Sequence, residues 1–248
     1  MFYEVIEFIL FTLCLILLII ILKGRRTIAQ LSSKYSMREE EFYKYLALAF
    51  FRNPDSLLED RTHHFTVQKE CDEIRGQDGF LSFTYRGINF SDSPSSFIRE
   101  EISDDIPIEL KRLEFKAIDN LSKMPLDWKV IKDETYAIIV EIYFAHPLSQ
   151  AEPFDISFEY KMPGSFTKGD EEYLFYPVDS YQKKVEKLEV TVSLDSPPIH
   201  YELLRFDKGE FIAEKQPDLE IAKDRAIIKF VEHNPKGIYL LKFKRQVV

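Results

Sequence analysis

The residues best suited to chemistry are few and scattered. His63-His64 is the only histidine pair. Neighbours on a strand point to opposite faces, so the two imidazoles would not share one metal. His200-Tyr201-Glu202 has the H-x-E form that begins a zinc deaminase signature, but no P-C-x-x-C follows. Asp104-Asp105 and Asp170-Glu171-Glu172 are acidic clusters without the spacing of a calcium loop. Cys71 has no histidine at nucleophile-activating spacing and no glycine-rich turn beside it. No phosphate-cradling glycine motif occurs in a chain with only 8 glycines. The expectation is a protein that is not an enzyme, with no catalytic residue, metal site or cofactor.

Basic residues form the one remaining candidate site. Lys183, Lys184 and Lys187 precede a strand, and Lys242, Lys244 and Arg245 alternate along the last one. If those strands adjoin, one face is positive and suits a phosphorylated ligand or anionic lipid headgroups. The competing reading is that these lysines protect a strand edge from pairing with other chains. The chain as a whole carries −9. The first 26 residues hold +1, which leaves −10 for the rest. Such an acidic body argues against general nucleic-acid binding, where cationic side chains neutralise phosphates.

The elements that would position these groups begin with an apolar run. From Phe8 to Leu22 only Thr12 is polar. About 20 helical residues cross a hydrocarbon core, so residues 1–26 predict a transmembrane anchor. Lys23, Arg25 and Arg26 flank it on one side, with no Lys or Arg before it. The positive-inside rule then places the C-terminal body in the cytoplasm, at an inner (plasma) membrane crossed once. Two cysteines in 248 residues suit a reducing compartment. Asn89-Phe90-Ser91 and Asn120-Leu121-Ser122 match the glycosylation pattern, but three residues carry little weight against that.

A helical linker is expected over 27–61. Ser36-Met37-Arg38-Glu39 has capping-box form, Phe42, Leu46, Ala49 and Phe50 recur at helical spacing, and Asn53-Pro54 ends the pattern. From His63 the period becomes 2. Phe65, Val67, Lys69, Cys71 and Glu73 alternate with polar neighbours, then Leu81, Phe83 and Tyr85, then Ile106, Ile108 and Leu110. The run YAIIVEIYF reads as a buried central strand. The second half continues with PFDISFEY, EEYLFYP, VEKLEVTVSL, IHYELLRF, RAIIKFV and GIYLLKFKR, separated by Pro and Gly turns. The expected fold is mainly β, with about ten to twelve strands. It comprises the transmembrane helix, the short helical linker and two antiparallel β-sandwich-like lobes, 62–149 and 150–248. Trp128 is expected to pack in a core or at a strand edge.

Tyr143-Phe144 with Pro147-Leu148, Phe154 to Tyr160, Phe175-Tyr176-Pro177-Val178-Asp179 and Asn234-Pro235-Lys236-Gly237 form a strand-and-turn pattern over about 110 residues. That pattern resembles the β-sandwich (Ig-like) regions appended to bacterial signalling and anti-phage defence proteins. The resemblance implies a binding module and carries over no ligand residue. The expected function is a membrane-anchored sensor or adaptor that recognises a partner protein, by sheet-edge addition. The alternative is an effector that a ligand such as a nucleotide oligomerises, gathering anchor helices into a pore. The expected partners are the membrane and either another protein or further copies of the chain.

Overall fold

The computed structural model describes residues 63–104, 106–166, 171–178, 183–207, 210–222 and 225–245. They form fifteen strands and one short 3-10 turn, Leu110–Arg112. In chain order the strands are β1 (His63–Arg75), β2 (Asp78–Asn89), β3 (Ser95–Ser103), β4 (Lys116–Asp119), β5 (Trp128–Glu134) and β6 (Ala137–Leu148). Then follow β7 (Pro153–Met162), β8 (Glu171–Pro177), β9 (Lys183–Val185), β10 (Lys187–Leu194) and β11 (Pro198–Asp207). The last four are β12 (Glu210–Ala213), β13 (Asp218–Ala222), β14 (Arg225–His233) and β15 (Ile238–Arg245).

An eight-stranded sheet runs β13-β14-β10-β1-β2-β7-β4, with β9 also paired to β1. Two smaller sheets, β12-β11-β15-β8 and β3-β6-β5, complete the fold. Both lie against one face of the large sheet. The three-stranded sheet covers its β2-β7-β4 half, where Tyr85 Oη donates to Glu100 and Phe115 meets Trp128 at 5.0 Å between rings. The four-stranded sheet covers the other half, where Tyr176 Oη donates to Asp72 at 2.8 Å and packs on Phe230 at 5.6 Å. Period-2 patterning explains the arrangement. Leu188, Val190, Val192 and Leu194 of β10 are buried while Glu189, Thr191 and Ser193 look outward. The outer face is polar and linked across strands, as in the Thr84–Ser157 hydroxyl pair at 2.9 Å and the Arg86–Asp155 ion pair at 2.8 Å.

The β1-β2 hairpin turns at Gly76-Gln77, with Gly76 at φ 62, a conformation that glycine adopts without a Cβ penalty. This turn anchors the four-stranded sheet. Arg245, 1% exposed, donates to the Gly76 carbonyl at 2.5 Å. It also lies 3.8 Å from Glu172 and 3.9 Å from Asp195. Asp195 in turn accepts from the Gly76 amide at 2.7 Å.

Several expectations are corrected. The anchor over 1–26, with Lys23, Arg25 and Arg26, and the helical linker over 27–61 lie outside the described residues. Among the described residues no helix is long and apolar enough to cross a membrane, and none exceeds the three residues of the 3-10 turn. A single-pass membrane protein with a cytoplasmic body therefore lacks support, and neither that location nor the pore-forming effector built on it is carried forward. Two antiparallel lobes are also corrected. The large sheet draws β1, β2 and β4 from before residue 150 and five strands from after it. Moreover, β1 pairs in parallel with both β9 and β10. Parallel neighbours need a long crossover, and here the chain between β1 and β9 builds seven other strands. Ile106, Ile108 and Leu110 form no strand. YAIIVEIYF does form the centre of its sheet, with Ile138, Val140 and Ile142 fully buried.

Candidate functional site

A bulge between Phe65 and Val67 resets the pleat of β1. Before it His63 and Phe65 face the core. After it Gln68, Glu70, Asp72 and Ile74 do, and Val67, Lys69, Cys71 and Glu73 turn outward. The interior thus receives three polar residues that simple alternation assigns to solvent. Gln68 Nε2 donates to Glu70, while Gln68 Oε1 and Asp72 Oδ1 accept no hydrogen bond. Burial pushes the Asp72 carboxyl up to about 7, and the Tyr176 hydrogen bond opposes this in part. Burial likewise raises Tyr85, Tyr160 and Tyr176 well above the ordinary phenol range, with nearby carboxylates adding to it. Among the described residues no three His, Cys, Asp or Glu side chains stand together as metal ligands. This cluster is buried, and through Asp72 it joins β1 to Tyr176 of the four-stranded sheet.

The histidines split as strand geometry requires. His63 is buried among Phe65, Phe144 and Phe154, with Nε2 3.0 Å from Ser95 Oγ. Burial lowers its pKa to about 4, so it is neutral at physiological pH. His64 faces the other way, 2.9 Å from Glu186. His200 and Glu202 form an exposed pair at 3.8 Å, on alternate positions of β11. Asp104 is bound to Ser165, and Asp105 and Asp170 lie outside the described residues. Asn89 is fully buried, its amide donating to the carbonyls of Ser93 and Leu148. Trp128 sits on edge strand β5, against Phe115.

The basic candidates do not converge. Lys183 and Lys184 belong to β9, opposite His63 and His64, and Lys187 on β10 pairs with Glu189. Lys242 and Lys244 belong to β15 in a different sheet. Lys242 is held by Glu171 at 3.1 Å and Glu202 at 3.6 Å. Arg245 points into the interior. The strands that carry the two groups do not adjoin.

The edge strands offer a different site. At one end of the large sheet β4 is closed by its own chain. Leu126 N donates to Ala117 O at 3.0 Å, Asp119 N donates to Met124 O at 2.9 Å, and Ile118 bridges to Pro125. Asn120 pins this loop with bonds to Asp155 at 2.7 Å and Ser157 at 2.8 Å. At the other end β13 pairs with β14 alone among the described strands. Its register runs without a bulge from Asp218↔Lys229 to Ala222↔Arg225. It contains no Lys or Pro, and Ile221 is 64% exposed. The edge strand β12 of the four-stranded sheet leads into β13 through residues 214–217 and leaves Ile212 45% exposed. The edge strand β5, by contrast, carries Lys129, Lys132, Asp133 and Glu134 and is bulged between Val130 and Lys132, devices that block edge pairing. The sequence signal for β13 is slight: PDLEIA has one short alternation after a proline.

Comparison with known proteins adds little. No family model matches the chain, and no curated protein matches it. Similar solved structures include an M1 zinc metallopeptidase mutant from Deinococcus radiodurans. It has 13% identity and a TM-score of 0.46 over 74% of this chain and 42% of that one. The same mutant bound to a Tyr-Ser-Ala substrate gives 12% identity and 0.47 over 74% and 43%. A protein of Parabacteroides distasonis assigned as a protease gives 8% and 0.45 over 75% and 41%. This chain therefore spans about two-fifths of the length of those structures. Those structures are named as peptidases, and the expectation that this chain is not an enzyme is not carried further. At TM-scores below 0.5 the likeness confers no activity on this chain. What stands is a structure built mostly of β-sheet.

Proposed function

We propose that this chain is a protein-recognition module that takes up an extended segment of its partner along the free edge of β13. One observation carries the reading: among the described strands β13 is an unbulged edge, without lysine or proline, that leaves Ile221 exposed. An incoming strand would gain main-chain hydrogen bonds at this edge, and alternate side chains would supply specificity. Natural sheets close or blunt such edges unless pairing is useful, and the β4 and β5 edges are both closed or blunted here.

The test is selection of extended peptides from a displayed random library on the full chain. Recovered binders should lose at least about tenfold in affinity to Ile221→Lys, since a charge at the apolar contact opposes pairing. They should be indifferent to Ile118→Lys at the closed end. Binders that respond to neither substitution would remove the proposal.

A further inference from the structure

The register of β13 defines the chemistry of the strand that would join it. Leu219 and Ile221 lie opposite Ile228 and Ala226, whose side chains are core-facing. Asp218 and Glu220 lie on the solvent side, opposite Lys229 and Ile227. Glu220 is bonded to Lys229 at 2.9 Å on the β14 side. A strand added to the free side would place its own alternate residues beside Leu219 and Ile221 on one face and beside Asp218 and Glu220 on the other.

Resting on the recognition role proposed above, we infer that the partner is an extended segment alternating basic and apolar residues, and not a second copy of this chain. Directly opposed like charges destabilise a sheet, and opposite charges stabilise it. Antiparallel self-pairing that uses all five β13 residues would set Glu220 opposite the Glu220 of the other copy. Two chains of net charge −9 also repel at longer range. A basic segment meets neither obstacle, and it supplies cations to both carboxylates.

Three end-blocked peptides of equal length, alternating Lys-Val, Thr-Val or Glu-Val, separate the possibilities when titrated against the full chain. The Lys-Val peptide should bind about tenfold more tightly than Thr-Val at low salt, with Glu-Val weakest, and the gap should narrow as salt rises. The double substitution Asp218→Asn, Glu220→Gln should bring Lys-Val and Thr-Val together. Equal binding of Lys-Val and Thr-Val to the natural chain, both lost on Ile221→Lys, would overturn the basic preference yet leave edge recognition standing. Binding by none of the three would overturn both. A concentration-dependent dimer in sedimentation, abolished by Ile221→Lys, would make a second copy the occupant and overturn the inference.

Discussion

The two ends of the eight-stranded sheet solve the same problem in opposite ways. At the β4 end the chain folds back, satisfies the edge backbone with residues 124–126 and fastens the loop through Asn120. Beneath it Phe83, Phe115, Phe158 and Tyr160 form a stacked aromatic layer, with Phe83 and Phe158 4.7 Å apart. At the β13 end no described segment returns, and Ile221 is 64% exposed. The eight residues that link β4 to β5 close the first edge, and among the described residues nothing closes the second. Under the recognition role proposed above, binding belongs to the β13 end, while the stacked rings make the β4 end the costlier one to disturb.

That contrast can be broken most sharply by truncation. Phe158→Ala should cost about 3–5 kcal/mol in urea unfolding, because it empties a site surrounded by rings. Ile221→Ala should cost less than about 1 kcal/mol, because most of its surface is already wet. Comparable losses at both ends would erase the distinction. Next in size is binding. Ile221→Lys should weaken the Lys-Val peptide by about a hundredfold, and Ile118→Lys by less than about threefold. The interior cluster between the two ends gives a smaller, pH-dependent effect. Asp72 has its folded pKa raised by burial to about 7, so the folded state holds the proton more tightly than the unfolded chain. Its contribution is fully present below about pH 4 and is lost as pH rises through about 7. The natural chain should lose about 2 kcal/mol between pH 5 and 8.5, and Asp72→Asn should remove most of that slope. An unchanged slope would show that Asp72 is ionised in the interior at both values. Smallest is Asn120→Ala. It should cost about 1 kcal/mol and speed amide exchange in β4 without touching β13.

Most strands were legible because their alternation is strong. The runs that became β6, β7, β8, β10, β11, β14 and β15 all stand out as apolar or alternating segments bounded by Pro, Gly or Asn. The order of those strands was not legible. The β1-β10 pairing joins residues more than a hundred positions apart, and no local pattern specifies it. The inward face of β1 is set by a feature that alternation alone does not reveal. One bulge at Thr66 exchanges the two sets of side chains, so that Glu70 and Asp72 enter the core and Cys71 leaves it. Arg245 looked like the end of a basic stripe. Its burial depends on Glu172, Asp195 and the Gly76 carbonyl, which come from three other parts of the chain. The open edge was missed because a five-residue strand of mixed charge and apolar residues looks like loop until its pairing is known.

Residue-resolved amide hydrogen exchange on the full chain, with and without the Lys-Val peptide, tests the central claim most directly. In the free chain the outward-pointing amides of β13 should exchange rapidly, and those of β4 slowly. The peptide should protect β13 and leave β4 and β5 unchanged. Protection that arises at β4 or β5, or β13 amides already slow in the free chain, would contradict an open edge that recruits a partner strand.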